Sequence, residues 1–161
     1  MERVLVSSCL LGEAVRYDGG RFAMSALLLR WQSEGRLLSF CPEVAGGLPV
    51  PRRPAEVPGG QGAAVLAGLI PVHTVDGEDV TGAFLRGAAR ACQLAAEQGV
   101  RFALLKARSP SCGNRQTYDG RFAGQLVDGE GVTAAALRQA GVRVFNEAEA
   151  EQLAALLDQN L

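Results

Sequence analysis

The stretch TGAFLRGAARACQLAAEQGVRFALL, residues 81–105, decides the fold. Its first part sets Phe84, Leu85, Ala88, Ala91, Cys92 and Ala95 on one stripe at helical spacing, which predicts a helix over Gly82 to Gln98 with Thr81 as its N-cap. Gly99 suits the exit, because glycine takes the left-handed conformation that ends helices without a steric penalty. A short apolar strand, Phe102 to Leu105, follows at once. A helix feeding a short, wholly apolar strand is the building unit of a parallel sheet covered on both faces.

Outward from that stretch the unit recurs. Val4 to Ser7 reads as a first buried strand and Leu37 to Phe40 as a second. Between them, Phe22 to Trp31 carries Ala, Leu and Met at helical spacing, with Gly35 at its exit. Downstream, Gly131 to Ala140 is predicted helical, Val142 to Phe145 a strand, and Glu147 to Leu157 a closing amphipathic helix. Val44 to Gly62 is rich in proline and glycine and reads as a long loop inside the domain, which favours a functional loop over a linker. Val65 to Ile70 and Val72 to Val75 are expected to pair as an antiparallel edge hairpin around Pro71. The expected class is therefore α/β: one Rossmann-like, three-layer domain over residues 1–161, with a mostly parallel sheet and helices on both faces. Tyr17-Asp18-Gly19-Gly20-Arg21-Phe22-Ala23 echoes Tyr118-Asp119-Gly120-Arg121-Phe122-Ala123, which reads as one kind of Asp-Gly turn used twice rather than as a repeat architecture.

Composition narrows the function. Hydrophobic residues make up 48% of the 161 and charged ones 20%, the balance of a folded globular protein. A formal charge of −1 gives no global basic field, so no stable nucleic-acid complex is expected. No apolar run approaches the roughly 20 residues of a membrane span. Nor does a signal peptide precede Glu2-Arg3-Val4, so a cytoplasmic location is expected. There thiols stay reduced, and cysteines serve metals or catalysis more than disulfides.

Of the four cysteines, three end strands. Cys9, Cys41 and Cys112 each follow a predicted strand at its carboxyl end, where the loops of an open α/β sheet gather around ligands. Cys92 instead lies on the buried helical stripe and reads as a small hydrophobe. Without a C-x-x-C pair, and with the lone His73 read as a strand or surface residue, a closed four-ligand zinc site is disfavoured. Three thiolates suit a soft-metal or iron–sulfur site with one open position. Glu43, two residues past Cys41, is a candidate for general acid–base work, evenly matched against a plain solvated carboxylate. Ser109, Ser111 and Lys106 flank Cys112, with turn hydrogen bonding as the plainer role for the serines. Arg52 and Arg53 are read as solvated loop charges ahead of contacts with a substrate phosphate or pyrimidine oxygens.

Three motifs then carry a resemblance. Ser8-Cys9-Leu10-Leu11-Gly12 with Val15-Arg16-Tyr17-Asp18-Gly19, then Cys41-Pro42-Glu43-Val44-Ala45-Gly46-Gly47-Leu48-Pro49-Val50-Pro51-Arg52, then Ser109-Pro110-Ser111-Cys112-Gly113, resemble the thiouracil desulfidase family in order and over nearly the whole chain. The resemblance implies a [4Fe–4S] cluster held by Cys9, Cys41 and Cys112, with the fourth iron left to bind the sulfur of a thiolated nucleobase or nucleotide. It also implies a non-redox exchange of C=S for C=O, with Glu43 as the acid–base group and Ser109 as the active-site serine. Longer members carry a second domain, so the short single-domain form is expected here. The alternative is a non-catalytic module: an iron–sulfur or zinc-bearing sensor, or a sulfur carrier. A nucleotide-binding regulator of Rossmann type ranks last, because no G-x-G-x-x-G opens a helix after the first strand.

Overall fold

A computed structural model describes residues 1–20 and 23–159, and its centre is a four-stranded parallel sheet. The strands are β1 (Val4–Ser7), β2 (Leu37–Phe40), β5 (Phe102–Leu105) and β8 (Arg143–Asn146), in the order β2-β1-β5-β8. Two small antiparallel pairs lie outside it: β3 (Ala55–Glu56) with β4 (His73–Thr74), and β6 (Gln116–Tyr118) with β7 (Leu126–Asp128). The helices are α1 (Ala26–Ser33), α2 (Pro42–Ala45), α3 (Gly62–Leu66), α4 (Thr81–Gln98), α5 (Val132–Gln139) and α6 (Ala150–Gln159).

Alternation within the apolar strands assigns the layers. Val4, Val6, Phe102 and Leu104 face one side, where Leu28 and Trp31 of α1 and Leu153 and Leu157 of α6 complete a cluster. Leu5, Ala103 and Leu105 face the other, against Ala91 and Ala95 of α4 and Ala134 and Leu137 of α5. The chain steps one way from β1 to β2 and the other way from β2 to β5 and β8. With right-handed crossovers, that reversal puts α1 opposite α4 and α5. The α/β class and the three layers stand as expected. A third cluster, including Val57, Val65, Val72 and Phe84, fills the space beneath the segment between β2 and α4.

Several local expectations change. The hairpin expected over Val65–Ile70 and Val72–Val75 does not form. Residues Gly62–Leu66 are α3, and His73–Thr74 pairs with Ala55–Glu56. The stretch from Val44 to Gly62 is thus not all loop, because it holds the end of α2, β3 and a 3-10 turn at Pro58–Gly60. Thr81 does not cap α4 with its side chain; its Oγ1 accepts the Val72 N–H at 2.9 Å, and Asp79 Oδ1 takes the Thr81 N–H instead. The predicted start of the first helix at Phe22 lies outside the described residues, as do Arg21 and Phe22 of the echoed motif. Both Asp-Gly turns have a glycine at positive φ, Gly19 at 75° and Gly120 at 95°. Cys92, expected in the core on the buried stripe, is half-buried and packs against the second cluster from its edge.

Candidate functional site

The strand order reverses between β1 and β5, and the crevice at such a switch point is where open α/β sheets bind ligands. A pocket of roughly 670 Å³ occupies that end of the sheet, and Cys9, Cys41 and Cys112 all line it. Cys9 lies in a 3-10 turn, Ser8–Leu11, that leaves β1. Cys41 is the N-cap of α2, where Pro42 fits the first helical position because its missing N–H has no partner to lose. Cys112 sits in the loop after β5 and is buried.

Neighbouring backbones hold the two later loops. The Cys112 loop presents the carbonyls of Pro110, Ser111 and Gly113 to the N–H groups of Val132, Ala134 and Gly131, at 2.9, 3.0 and 2.7 Å. They thereby satisfy donors that the first turn of α5 leaves without helical partners. A β-carbon on Gly131 would collide with the Ser111 backbone, so glycine is required there. Similarly, α2 rests on α4 through Gly46 and Gly87. A β-carbon on Gly87 would run into the Pro42 carbonyl, and one on Gly46 into the Ala83 carbonyl. On its far side the Cys112 loop is tied to β8 by Asn114, which donates to Glu149 Oε1 at 2.9 Å and accepts from Asn146 at 3.0 Å. Burial would raise the Glu149 carboxyl, but hydrogen bonds from Arg115, Asn114 and the Asn146 N–H outweigh it and hold the group low.

Beside the thiols a polar chain crosses the pocket wall. Glu43 Oε1 accepts from Arg52 Nε at 3.0 Å, and its Oε2 accepts from Ser111 Oγ at 2.8 Å. Ser109 Oγ is 3.1 Å from Ser111 Oγ and accepts the backbone N–H groups of Ser111 and Cys112. Ser111 has one proton, and its shortest acceptor is the Glu43 carboxyl; Ser109 is therefore the donor to Ser111. The turn hydrogen bonding weighed for Ser109 is present, and its own proton is given to Ser111. Arg52 is not a solvated charge. Its side chain is only 7% exposed, pairs with Glu43 and also donates to the Val15 and Pro49 carbonyls. Arg53, 62% exposed and paired with Asp76, does fit the solvated reading. Lys106 pairs with Glu147 at 2.6 Å. The sequence named Glu43, Ser109 and Ser111 as candidates but missed Arg52 as their partner; its place on the same glycine- and proline-rich segment was the only signal.

The thiols share one electrostatic state. Burial first, and then the neighbouring Cys41, push Cys9 from 9.0 to about 11. Burial pushes Cys112 to about 12, against the hydrogen bond from Ser7, and raises Cys41 as well. An unfolded chain releases these protons near 9 while the folded one keeps them, so the folded state loses stability as pH climbs from about 9 towards 11 and beyond. Thermal denaturation of protein stripped of metal is expected to show Tm falling through that window. A Tm that stays flat between pH 9 and 11 would contradict this burial of the thiols.

Three thiols, one buried and two half-buried, a carboxyl group and two serines at the switch point of a parallel sheet define an α/β protein with a cysteine-lined pocket for a small molecule. The chain belongs to the 2-thiouracil desulfurase family, whose model matches residues 4–149. It is 44% identical over 146 residues to the uncharacterized protein YbbK of Bacillus subtilis (strain 168), covering 91% of this chain and 96% of that one. A solved structure described as the [4Fe–4S]-dependent thiouracil desulfidase TudS superposes with a TM-score of 0.90 at 49% identity, covering 99% of both chains.

Proposed function

We propose that this chain is an iron–sulfur enzyme that removes sulfur from a thiolated pyrimidine base or nucleotide. Water replaces the sulfur, C=S becomes C=O, and hydrogen sulfide leaves without net electron transfer. The observation that carries the reading is the meeting of Cys9, Cys41 and Cys112 in one pocket with Glu43 and Ser109. Family membership and the likeness to a solved [4Fe–4S]-dependent thiouracil desulfidase support it.

Cys9, Cys41 and Cys112 would hold a [4Fe–4S] cluster. The donor set fits, since soft thiolates select such clusters. Among the described residues no three His, Cys, Asp or Glu side chains are placed to hold a single metal ion. A cluster of several irons would not need all three thiolates on one ion. When bound through three cysteines, the cluster would supply one iron without a protein ligand, a soft Lewis acid for the thiocarbonyl sulfur.

The chain's own groups do the rest. Glu43 accepts a proton from the attacking water and returns it to the ring nitrogen or the departing sulfide. Arg52 and Ser111 fix both of its oxygens, so the carboxyl group stays aimed at one place. Ser109 lines the pocket with its oxygen engaged by two N–H groups and its proton on Ser111, at the outer end of a Ser109–Ser111–Glu43 chain. It would turn that proton to the substrate on binding. Ser7 donates to Cys112 Sγ at 3.4 Å and accepts the Lys106 N–H, which orients a ligand sulfur from the far side. The reading takes residues 1–161 as one domain acting on small molecules in the cytoplasm, with no stable nucleic-acid complex. No described helix is long and apolar enough to cross a membrane.

Anaerobic reconstitution with iron and sulfide is expected to give the visible absorbance of a cubane and sulfide release from 2-thiouracil. Cys112→Ala should lose most of the iron and all measurable turnover, and Cys9→Ala and Cys41→Ala likewise. A Cys112→Ala protein that kept a full cluster and its activity would sink the assignment. A sulfur carrier, by contrast, would need one of the three thiols and tolerate loss of the others.

A further inference from the structure

Among the described residues, two that are not glycine hold φ in the left-handed region, Arg108 at 69° and Phe122 at 56°, and both line the pocket. For a bulky side chain that conformation is sterically disfavoured, so the surroundings must impose it. They do so by name. Glu56 Oε1 accepts the Gly120 N–H at 2.9 Å and the Phe122 N–H at 3.2 Å, which clamps the connection between β6 and β7. Asp119 Oδ1 takes the Arg121 N–H, and the Asp119 carbonyl takes the Gly59 N–H at 2.8 Å. Gly120 fits only because it lacks a side chain; a β-carbon there would lie 2.8 Å from Pro58 Cα.

A glycine at 122 would take the same backbone without steric cost. Phenylalanine there needs another reason, and core packing does not supply it. Phe102 and Phe145 belong to the first core cluster, Phe84 to the third, and Phe40 packs against the second, whereas Phe122 belongs to none of them and faces the pocket instead. Backbone strain held in place at a ligand pocket is a pointer to function.

We infer that Phe122 is a specificity-determining residue whose ring is the stacking face for the planar, conjugated ring of the substrate. This rests on the desulfidase reading for the identity of the ligand. An aromatic face recognises any flat heterocycle and rewards it over an acyclic thiocarbonyl, while the thiols and Glu43 act on the C=S group itself. The Glu56 clamp keeps the ring in place before the ligand arrives, so little ordering is left for binding to do.

The test uses cluster-loaded wild type with Phe122→Ala, Phe122→Gly and Phe122→Trp. For 2-thiouracil, KM is expected to rise about tenfold in the alanine and glycine variants with a much smaller change in kcat, and to stay within about threefold of wild type for tryptophan. Phe122→Gly should also melt no lower than wild type, since it relieves the backbone, so its weaker binding is not unfolding. Equilibrium dialysis with 2-thiouracil should follow the same order without relying on turnover. An unchanged KM and an unchanged dialysis constant in Phe122→Gly would overturn the stacking role while leaving the desulfidase reading intact. Wild type that binds 2-thiouracil through Phe122 yet releases no sulfide would overturn the reaction and keep the stacking. Wild type that binds none would overturn both.

Discussion

Glu43→Gln is expected to cut sulfide release from 2-thiouracil by roughly 10²- to 10⁴-fold, mostly in kcat, the usual range for a general acid–base group. The amide matches the carboxyl group in shape. Its oxygen can still accept from Arg52 and its nitrogen can meet Ser111, so the geometry of the pocket is kept while the proton acceptor is lost. Some stability goes too, because Arg52 is buried and its charge then has no counterion. The carbonyls of Val15 and Pro49 still receive that guanidinium, so the cost stays below the about 3–5 kcal/mol of stripping a buried ion from its partner outright. Activity measured well below the variant's Tm, with iron content determined on the same sample, separates the two effects. A Glu43→Gln enzyme with full cluster and wild-type kcat would remove Glu43 from the chemistry.

A second large effect is expected from the smallest of changes. Gly87→Ala adds one methyl group to the middle of α4, where helix propensity alone would favour it by about 1 kcal/mol. That methyl group meets the Pro42 carbonyl, a rigid backbone atom with nowhere to go. Either α2 shifts outward or α4 bends, at a cost of about 1–3 kcal/mol. The turn that moves begins at Cys41 and contains Glu43, so a proposed cluster ligand and the proposed acid–base group are displaced together. A misplacement of about 1 Å can cost about 100-fold in rate, and the expected phenotype is poor iron retention with at least that loss of turnover. Gly82→Ala on the same helix is the control. Its β-carbon meets no backbone atom, only Arg86 Nη1 at 3.2 Å, and Arg86 can give there while its Nε keeps the Gly46 carbonyl, so iron content and activity should change far less. Equal iron retention in the two variants would show that the close approach of α2 and α4 does not set the site.

Much of this was legible in the sequence where burial is continuous. The apolar runs at Val4 and Phe102 mark their strands because a sheet buried on both faces leaves few polar positions, and the edge strand at Leu37 keeps enough of that run to show despite exposed Ser39. The three cysteines were legible for the same reason, each following such a run. Order within the sheet was not, since no local pattern encodes that β1 lies between β2 and β5. Short elements escaped for lack of a period: β3 and β4 have two residues each, and the hairpin of β6 and β7 is largely polar. Val65 misled because a brief apolar run fits helix and strand alike. Thr81 looked like a cap until Asp79 was seen to take its N–H. Arg52 shows the sharpest limit, because its residue type was visible but its burial against Glu43 depends on where the loop returns.

Cys9, Cys41 and Cys112 stand dozens of residues apart along the chain and meet at one end of one sheet. Whatever group the three thiols hold in common therefore closes two large loops and acts as a clasp on the polypeptide. A covalent cross-link over loops of that size withholds about 3–5 kcal/mol of freedom from the unfolded chain. Loading and unfolding would then be two sides of one equilibrium, and the proposed cluster would also keep the domain shut.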